Sequence, residues 1–508
     1  MMLFALALGA GGYVLVALNQ NAAFPADWVM TIGAGIQFGG PWFVGIVAWF
    51  ALGAITWGVT RWRLPYADPL ILPVVFLLNG LGLSMIYRLD QADGLRSAEL
   101  QMFWLVLAVS AYCAVVMLLR DHRRLQRYTY VWFLAGLILL LSPLLPVLGK
   151  ENHGARIWIE VGPFSFQPAE IAKIVLSVAF AAYLVEKRDV LAMAGRRFAG
   201  IDFPRPRDLG PILIAWGFSL VVLVFQKDLG TTLLFFGLFV MMLYVATERP
   251  SWAILGFGMV GVLGVLGYLF FDHVQTRFSS WLNPFSDYDR NLQVISAQFG
   301  FAWGGLFGTG WGMGRPYLTP LAKNDFIAAA LGEELGLFGL VAVIVLFALV
   351  VARVLKVALA SREPFGKLLA TGLAFVFALQ VFVIVGGVTR LLPLTGLTTP
   401  FVSQGGSSLV SNYLLLGLIL TITHQVRRPQ AEQADAGQVV SLSSDATQAL
   451  PAIRTHGPSG VEPRPDPASV ASSPAEQAHD PATPASPAHD PADAPTQVVR
   501  RDNGEEPR

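Results

Sequence analysis

The chain has 508 residues, 54% hydrophobic and only 14% charged, with a formal net charge of +1 and a mean hydropathy of +0.57. Soluble domains carry about 25% charged residues, so the composition excludes a soluble protein, and the balanced charge gives no reason for a nucleic-acid partner. The single cysteine, Cys113, lies in an apolar stretch, which excludes a disulfide within the chain and points to a small buried residue rather than redox or metal chemistry.

A membrane-crossing helix needs about 20 apolar residues. Candidates lie at 2–18, 40–60, 69–88, 101–119, 129–148, 168–186, 210–225, 229–247, 252–271, 326–352, 368–389 and 407–425. The first lacks a basic leader and a small-residue cleavage site, so it reads as a retained span rather than a signal peptide. The expected fold is an all-α, polytopic transmembrane bundle of about 12 spans. Basic residues follow the even-numbered spans, as with Arg61 and Arg63, Arg120 to Arg127, Lys187 and Arg188, Arg249, and Arg353 to Lys367. Positive charge marks the cytoplasmic side. Both termini are therefore expected in the cytoplasm, and the loops after spans five, seven, nine and eleven outside the cell membrane.

Three regions are expected. Residues 1–66 hold the first two spans, residues 67–426 the remaining membrane core, and residues 427–508 a cytoplasmic tail. The tail is rich in Pro, Ala, Asp and Ser, as in PASPAHDPADAP. It cannot bury enough apolar area to offset chain entropy and is expected to be disordered.

The longest connection of the membrane part runs from Asp272 to Asp325. It holds Asp287 and Asp289, with Arg277 and Arg290 nearby, and the glycine- and aromatic-rich run GGLFGTGWGMG. Loops of this length are uncommon unless functional. Charges within spans are costly and usually functional as well. In GARIWIEVGPFSFQPAEIAK, Arg156 lies in a loop, and Glu170 falls in the first turn of a helix opening at Pro168, where the macrodipole favours an acid. Glu170 and Lys173 share a helix face. They read either as an internal ion pair or as the wall of a cavity for a charged head group. Asp228 in QKDLGTT is either a helix cap or part of that cavity. Ser403, Gly405, Gly406, Ser407 and Ser408 open the last span, where free N–H groups suit a phosphate and small side chains equally suit close helix packing. Of Glu333 and Glu334, inside the tenth span, at least one should face a polar interior.

Taken in order, GARIWIEVGPFSFQPAEIAK, QKDLGTT, RFSSWLNPFSD with Gln293, GGLFGTGWGMG, NDFIAAALGEELGLFG and PLTGLTTPFVSQGGSS, ending at Asn412, resemble the SEDS (FtsW/RodA/SpoVE) family of membrane glycosyltransferases over residues 69–425. The resemblance implies a polymerase of peptidoglycan glycan strands. It would transfer the growing chain from undecaprenyl-pyrophosphate to lipid II, beside a class B penicillin-binding protein that crosslinks the strands. The family's essential aspartate follows a W-x-x-P element. Counted from Trp281 and Pro284, that residue is Asp287, with Asp289, two residues on, the alternative should the loop register shift. Asp287 is the implied general base for the acceptor hydroxyl, with desolvation at the membrane edge assisting. Arg156, Arg277, Lys173 and the Gly405–Ser408 helix start are the implied pyrophosphate ligands. Glu170, Asp228, Gln293, Glu333, Glu334 and Ser403 complete the substrate site. No cofactor is implied beyond a divalent cation, Mg2+ or Mn2+, on the pyrophosphate, for which the sequence shows no ligand cluster. Lys227 stands where the pattern has proline, Asn291-Leu292 where it has Gly-Tyr, Gln404 where it has tyrosine, and Ala169 where it has serine. The two extra N-terminal spans resemble actinobacterial members, and the blocks favour the elongation and cell-shape branch over the division branch. The competing readings are a lipid II flippase, a division-specific polymerase, and a scaffold that only recruits the transpeptidase.

Overall fold

The computed structural model describes residues 1–21, 41–145, 149–152, 155–161, 164–191, 196–198, 201–203 and 225–428, with isolated positions between 210 and 222. Uncharged runs become helices because only a helix satisfies all its own backbone polar groups in lipid. In chain order these are α1 (Met2–Asn21), α2 (Pro41–Arg63), α3 (Ile71–Asp93), α4 (Ser97–Leu118) and α5 (Thr129–Leu141). A three-stranded antiparallel sheet follows, β1 (Gly149–Asn152), β2 (Ala155–Val161) and β3 (Phe164–Phe166). Next come α6 (Pro168–Leu191) and the hairpin β4 (Arg196–Phe198) and β5 (Ile201–Phe203). The rest is α7 (Leu229–Thr247), α8 (Pro250–Phe270), α9 (Asp272–Leu282), α10 (Tyr288–Gly304), α11 (Ile327–Ala360), α12 (Pro364–Val388) and α13 (Gly406–Arg427).

Among the described residues, nine helices are long and apolar enough to cross a membrane, and α1 and α2 stand where the first two spans are expected. The expected span at 210–225 and the tail beyond residue 428 lie largely or wholly outside the described residues. The fifth span begins earlier than expected, running His122–Leu144 as a 3-10 turn, the α-helix and a second 3-10 turn around Pro143. Helices α3, α6, α7, α12 and α13 are mostly buried, while α4, α5, α8 and α11 turn mostly outward. The added helices dock on the core through small residues. A Cβ on Gly80 of α3 would lie 2.8 Å from the Cα of Gly9 in α1, and Tyr13 stacks on Tyr87 with ring centroids 4.2 Å apart.

Polar contacts sort the connections into two ends. At one end Asp68, after α2, pairs with Arg353 and Arg427 at 2.8 and 3.4 Å. His122, after α4, meets Glu363, after α11, at 3.0 Å. At the other end Lys323 pairs with Asp90 and Asp93 of α3 at 2.7 and 3.0 Å, and Arg277 of α9 bonds to the turn that follows α12. Even-numbered exits meet even ones and odd meet odd, as the basic-residue pattern requires.

The long connection is not a bare loop. It folds as α9, a 3-10 turn at Pro284–Ser286, α10, and a glycine-rich segment packed against α11. That packing depends on a break in α11 at Gly336, where φ is +71°. The break frees backbone groups that the glycine segment takes up. Leu337 and Phe338 N–H donate to the carbonyls of Gly305 and Leu306 at 2.9 and 3.1 Å, and Thr309 and Gly310 N–H donate to the carbonyls of Glu333 and Glu334 at 3.0 and 3.1 Å. A side chain at Gly336 would need a disfavoured φ and would run into the backbone N of Gly308. Gly336→Ala is expected to destabilise the protein by about 2 kcal/mol or more, read as a lowered unfolding midpoint in detergent. Gly258→Ala, in open space on α8, should change stability by no more than about 1 kcal/mol, and upward.

Candidate functional site

Asp287 is the N-cap of α10. Its Oδ1 accepts from the backbone N–H of Arg290 at 3.1 Å, and the residue is exposed. The cap follows from sequence, since Pro284 opens a 3-10 turn that ends at Ser286 and an acid at the next helix start satisfies an orphan donor. Asn291 fixes the turn by donating from Nδ2 to the Pro284 carbonyl at 2.8 Å.

Behind the cap lies a cleft of about 330 Å3, lined by Arg277, Arg290, Asn291, Gln293, Asp325 and Arg390. It is closed by contacts between α9 and the turn after α12. Trp281 Nε1 donates to the Arg390 carbonyl at 2.9 Å, and Arg390 Nη2 returns a bond to the Trp281 carbonyl at 3.0 Å. Arg277 Nη1 donates to the Leu394 carbonyl at 2.8 Å. Arg390 adopts φ +61°, a sparsely populated conformation for a residue with a side chain, held here by its neighbours. Its Nε is buried with no hydrogen-bond partner among the described residues. Three guanidiniums around one small space, two of them spent on backbone carbonyls rather than carboxylates, suit a doubly charged oxyanion such as a pyrophosphate.

Two carboxylates stand beside Arg277. Asp228 caps α7, accepting from Thr231 N–H at 2.9 Å, and burial pushes its carboxyl up from the ordinary value. Asp325 is pushed up to about 6 from 3.8, chiefly by burial, with Arg277 opposing and Asp228 adding. Gly396, at φ +74°, packs against both Asp325 and Arg277.

Of the residues marked from sequence, Arg277 and Gln293 line the cleft, Asp287 caps the helix that supplies its wall, and Asp228 lies within electrostatic reach of Arg277. The others do not line it. Arg156 is exposed on β2. Glu170 and Lys173 are buried and pair with each other at 2.5 Å, with Lys173 also donating to Gln380 Oε1 at 2.9 Å. That is the internal ion pair of the two readings. Both Glu333 and Glu334 are buried, as charge within a span requires, but they face the glycine segment. Glu333 Oε1 accepts from Arg315 N–H at 2.5 Å, Glu334 Oε2 accepts from Gly312 N–H at 2.8 Å, and Arg88 approaches Glu334 at 3.4 Å.

The start of α13 is a packing joint. A Cβ on Gly406 would run into the Trp104 ring. Gly405 N–H donates to Gln101 Oε1 at 3.2 Å, and Ser403 Oγ donates to the Asn324 carbonyl at 2.6 Å. Ser407 and Ser408 are buried, with Asn412 donating to the Ser408 carbonyl at 2.8 Å. Sequence reasoning missed Arg390 and Asp325. Arg390 carried a signal, being a basic residue at an exit where the charge pattern expects none. Among the described residues no group of three His, Cys, Asp or Glu could hold a metal ion.

A family model described as "Cell cycle protein", grouping FtsW, RodA and SpoVE, matches residues 69–428. The chain belongs to the FtsW/RodA/SpoVE family. It is 47% identical over 412 residues to the peptidoglycan glycosyltransferase RodA of Mycobacterium tuberculosis, covering 79% of this chain and 88% of that one. It is 32% identical over 373 residues to a probable peptidoglycan glycosyltransferase FtsW of Geobacter metallireducens, covering 71% and 95%. Among solved structures, a chain from work on the structural coordination of polymerization and crosslinking by a peptidoglycan synthase complex aligns with a TM-score of 0.51 at 26% identity, covering 76% of this chain and 98% of that one. The family match begins at residue 69, after α1 and α2.

The raised value of Asp325 gives a pH test of the cleft. The fold favours its protonated form, so its contribution to stability is complete below about pH 3.8 and is lost as pH rises through about 6. Asp325→Asn should therefore flatten the fall in unfolding midpoint across that window, measured on the detergent-solubilised protein.

Proposed function

We infer that this membrane enzyme is a peptidoglycan glycosyltransferase of the elongation type, polymerising lipid II at the outer face of the cell membrane. The observation that carries the reading is the juxtaposition of a helix-capping carboxylate, Asp287, with a cleft walled by Arg277, Arg290 and Arg390. The identity of 47% to a RodA against 32% to an FtsW favours elongation over division. The basic residues gathered at the end opposite the cleft support an extracytoplasmic cleft and cytoplasmic termini.

In the proposed reaction the acceptor sugar's 4-hydroxyl attacks the anomeric carbon of the donor chain. The new glycosidic C–O bond forms as the bond from that carbon to the pyrophosphate oxygen breaks. The hydroxyl proton passes to Asp287 Oδ2, which is left open by the cap bond on Oδ1. The electron pair leaves with undecaprenyl-pyrophosphate, whose charge the three guanidiniums meet. The transfer inverts the anomeric centre and needs no covalent intermediate. A Mg2+ or Mn2+ ion would arrive bound by the pyrophosphate oxygens and would neutralise part of their charge, since the cleft itself offers guanidiniums and a single carboxylate, Asp325. Arg156, Lys173, Glu170, Glu333, Glu334 and the Ser403–Ser408 segment support the frame rather than touch the reacting groups. A class B penicillin-binding protein is the proposed crosslinking partner, in line with the solved synthase complex that this chain resembles.

Asp287→Ala should lower lipid II polymerisation by about 10²-fold or more, while Asp289→Ala, two residues further along, should retain most of it. The assay is glycan-strand synthesis from lipid II by the complex co-purified with its transpeptidase inactivated. Full synthesis by Asp287→Ala would favour a flippase or a scaffold instead.

A further inference from the structure

A second and larger cavity, about 650 Å3, opens between α1, α2 and the start of α3. It lies at the end of the bundle opposite the arginine cleft, because Asp68, which lines it, pairs with Arg353 and Arg427. The linker from α2 to α3 carries Pro65 and Pro69 and is not helical, so it arches over the space instead of filling it. The floor is apolar, with Leu6 from α1, Phe50 from α2 and Leu72 from α3. The size falls within the roughly 300–1,000 Å3 typical of small-molecule sites.

The polar groups at its rim are mostly spent. The Asp68 carboxylate is taken by two arginines, and the Thr60 hydroxyl is shared with Tyr112 at 2.6 Å. Arg61 is different. It is exposed and lies over the Trp57 ring at 6.0 Å, and no carboxylate is within ion-pair reach of it among the described residues. A cation without an acid, above an apolar chamber inside a membrane-spanning bundle, matches a molecule with an anionic head and a hydrocarbon tail. The bilayer itself supplies that molecule in excess.

We propose that the space between the two added helices and the core holds one anionic phospholipid, its phosphate on Arg61 and one acyl chain along Leu6, Phe50 and Leu72. Two of the three walls precede residue 69, where the family match begins, so the site belongs to the added helices and is independent of the chemistry proposed for the cleft. Through the Gly9–Gly80 contact and the bond from Trp311 Nε1 to the Gly12 carbonyl at 3.0 Å, α1 touches both the core and the glycine segment. A lipid wedged under α1 would thus steady that docking.

The test is native mass spectrometry of the full-length protein in detergent, titrated with phosphatidylglycerol and, separately, phosphatidylcholine. The wild type should retain one phosphatidylglycerol per chain, in preference to phosphatidylcholine. Arg61→Ala should weaken retention about five-fold. Ala54→Trp, which fills the chamber while leaving Arg61 in place, should abolish it in protein that stays monodisperse. Arg124→Ala, an exposed cation outside the cavity at the same end, should leave retention unchanged. Glycerol phosphate, which has no acyl chain, should not compete. Equal retention of phosphatidylcholine, displacement by glycerol phosphate, or wild-type retention by both Arg61→Ala and Ala54→Trp would overturn the proposal.

Discussion

The cleft exists because α9 and the turn after α12 hold each other. Trp281 and Arg390 exchange side-chain-to-backbone hydrogen bonds across 109 residues of sequence, and Arg277 adds a third bond to Leu394. Backbone carbonyls satisfy the arginines without neutralising them. Three guanidiniums therefore face the same cleft, with Asp325 beside Arg277 as the carboxylate of its lining. Arg390 bears this arrangement in a disfavoured backbone conformation, as residues at functional sites often do.

A second constraint supports the first. The break of α11 at Gly336 hands backbone donors and acceptors to the glycine segment, and the Glu333 and Glu334 carboxylates take two more of its N–H groups. Buried charge in a span is thereby matched by backbone dipoles and by Arg88. The glycines at 308, 310 and 312 all have positive φ, which explains why the segment is so rich in that residue. The segment is thus a hydrogen-bonded layer laid against α11. On the far side of the bundle the added helices lean on the same layer through Trp311.

Much of this was legible in the sequence, for identifiable reasons. Uncharged runs and the placement of Arg and Lys depend only on the bilayer, so spans and their two-ended grouping could be read locally. Asp287 was marked by the family resemblance, counted from Trp281 and Pro284, and its place as a helix cap is a local feature. The cleft could not be read locally, because Arg390 reaches it from the far side of α12 through tertiary contacts alone. The span at Glu333 and Glu334 read as continuous helix, and nothing local announces that Gly336 interrupts it. The pairing of Glu170 with Lys173 was visible as helix spacing, but its separation from the cleft was not. The serines and glycines before α13 fitted both an anion and a packing joint by composition. Only the Trp104 ring against Gly406 decides for packing.

The central claim is that the arginine cleft receives the lipid-linked sugar. A photo-crosslinking residue at Ser280, on the cleft wall, tests it with labelled lipid II, using Phe257 on the outward face of α8 as the control site. The account predicts capture from Ser280 that unlabelled lipid II competes away, and no competable capture from Phe257. Competable capture from Phe257 but none from Ser280, in protein that still polymerises, would contradict it.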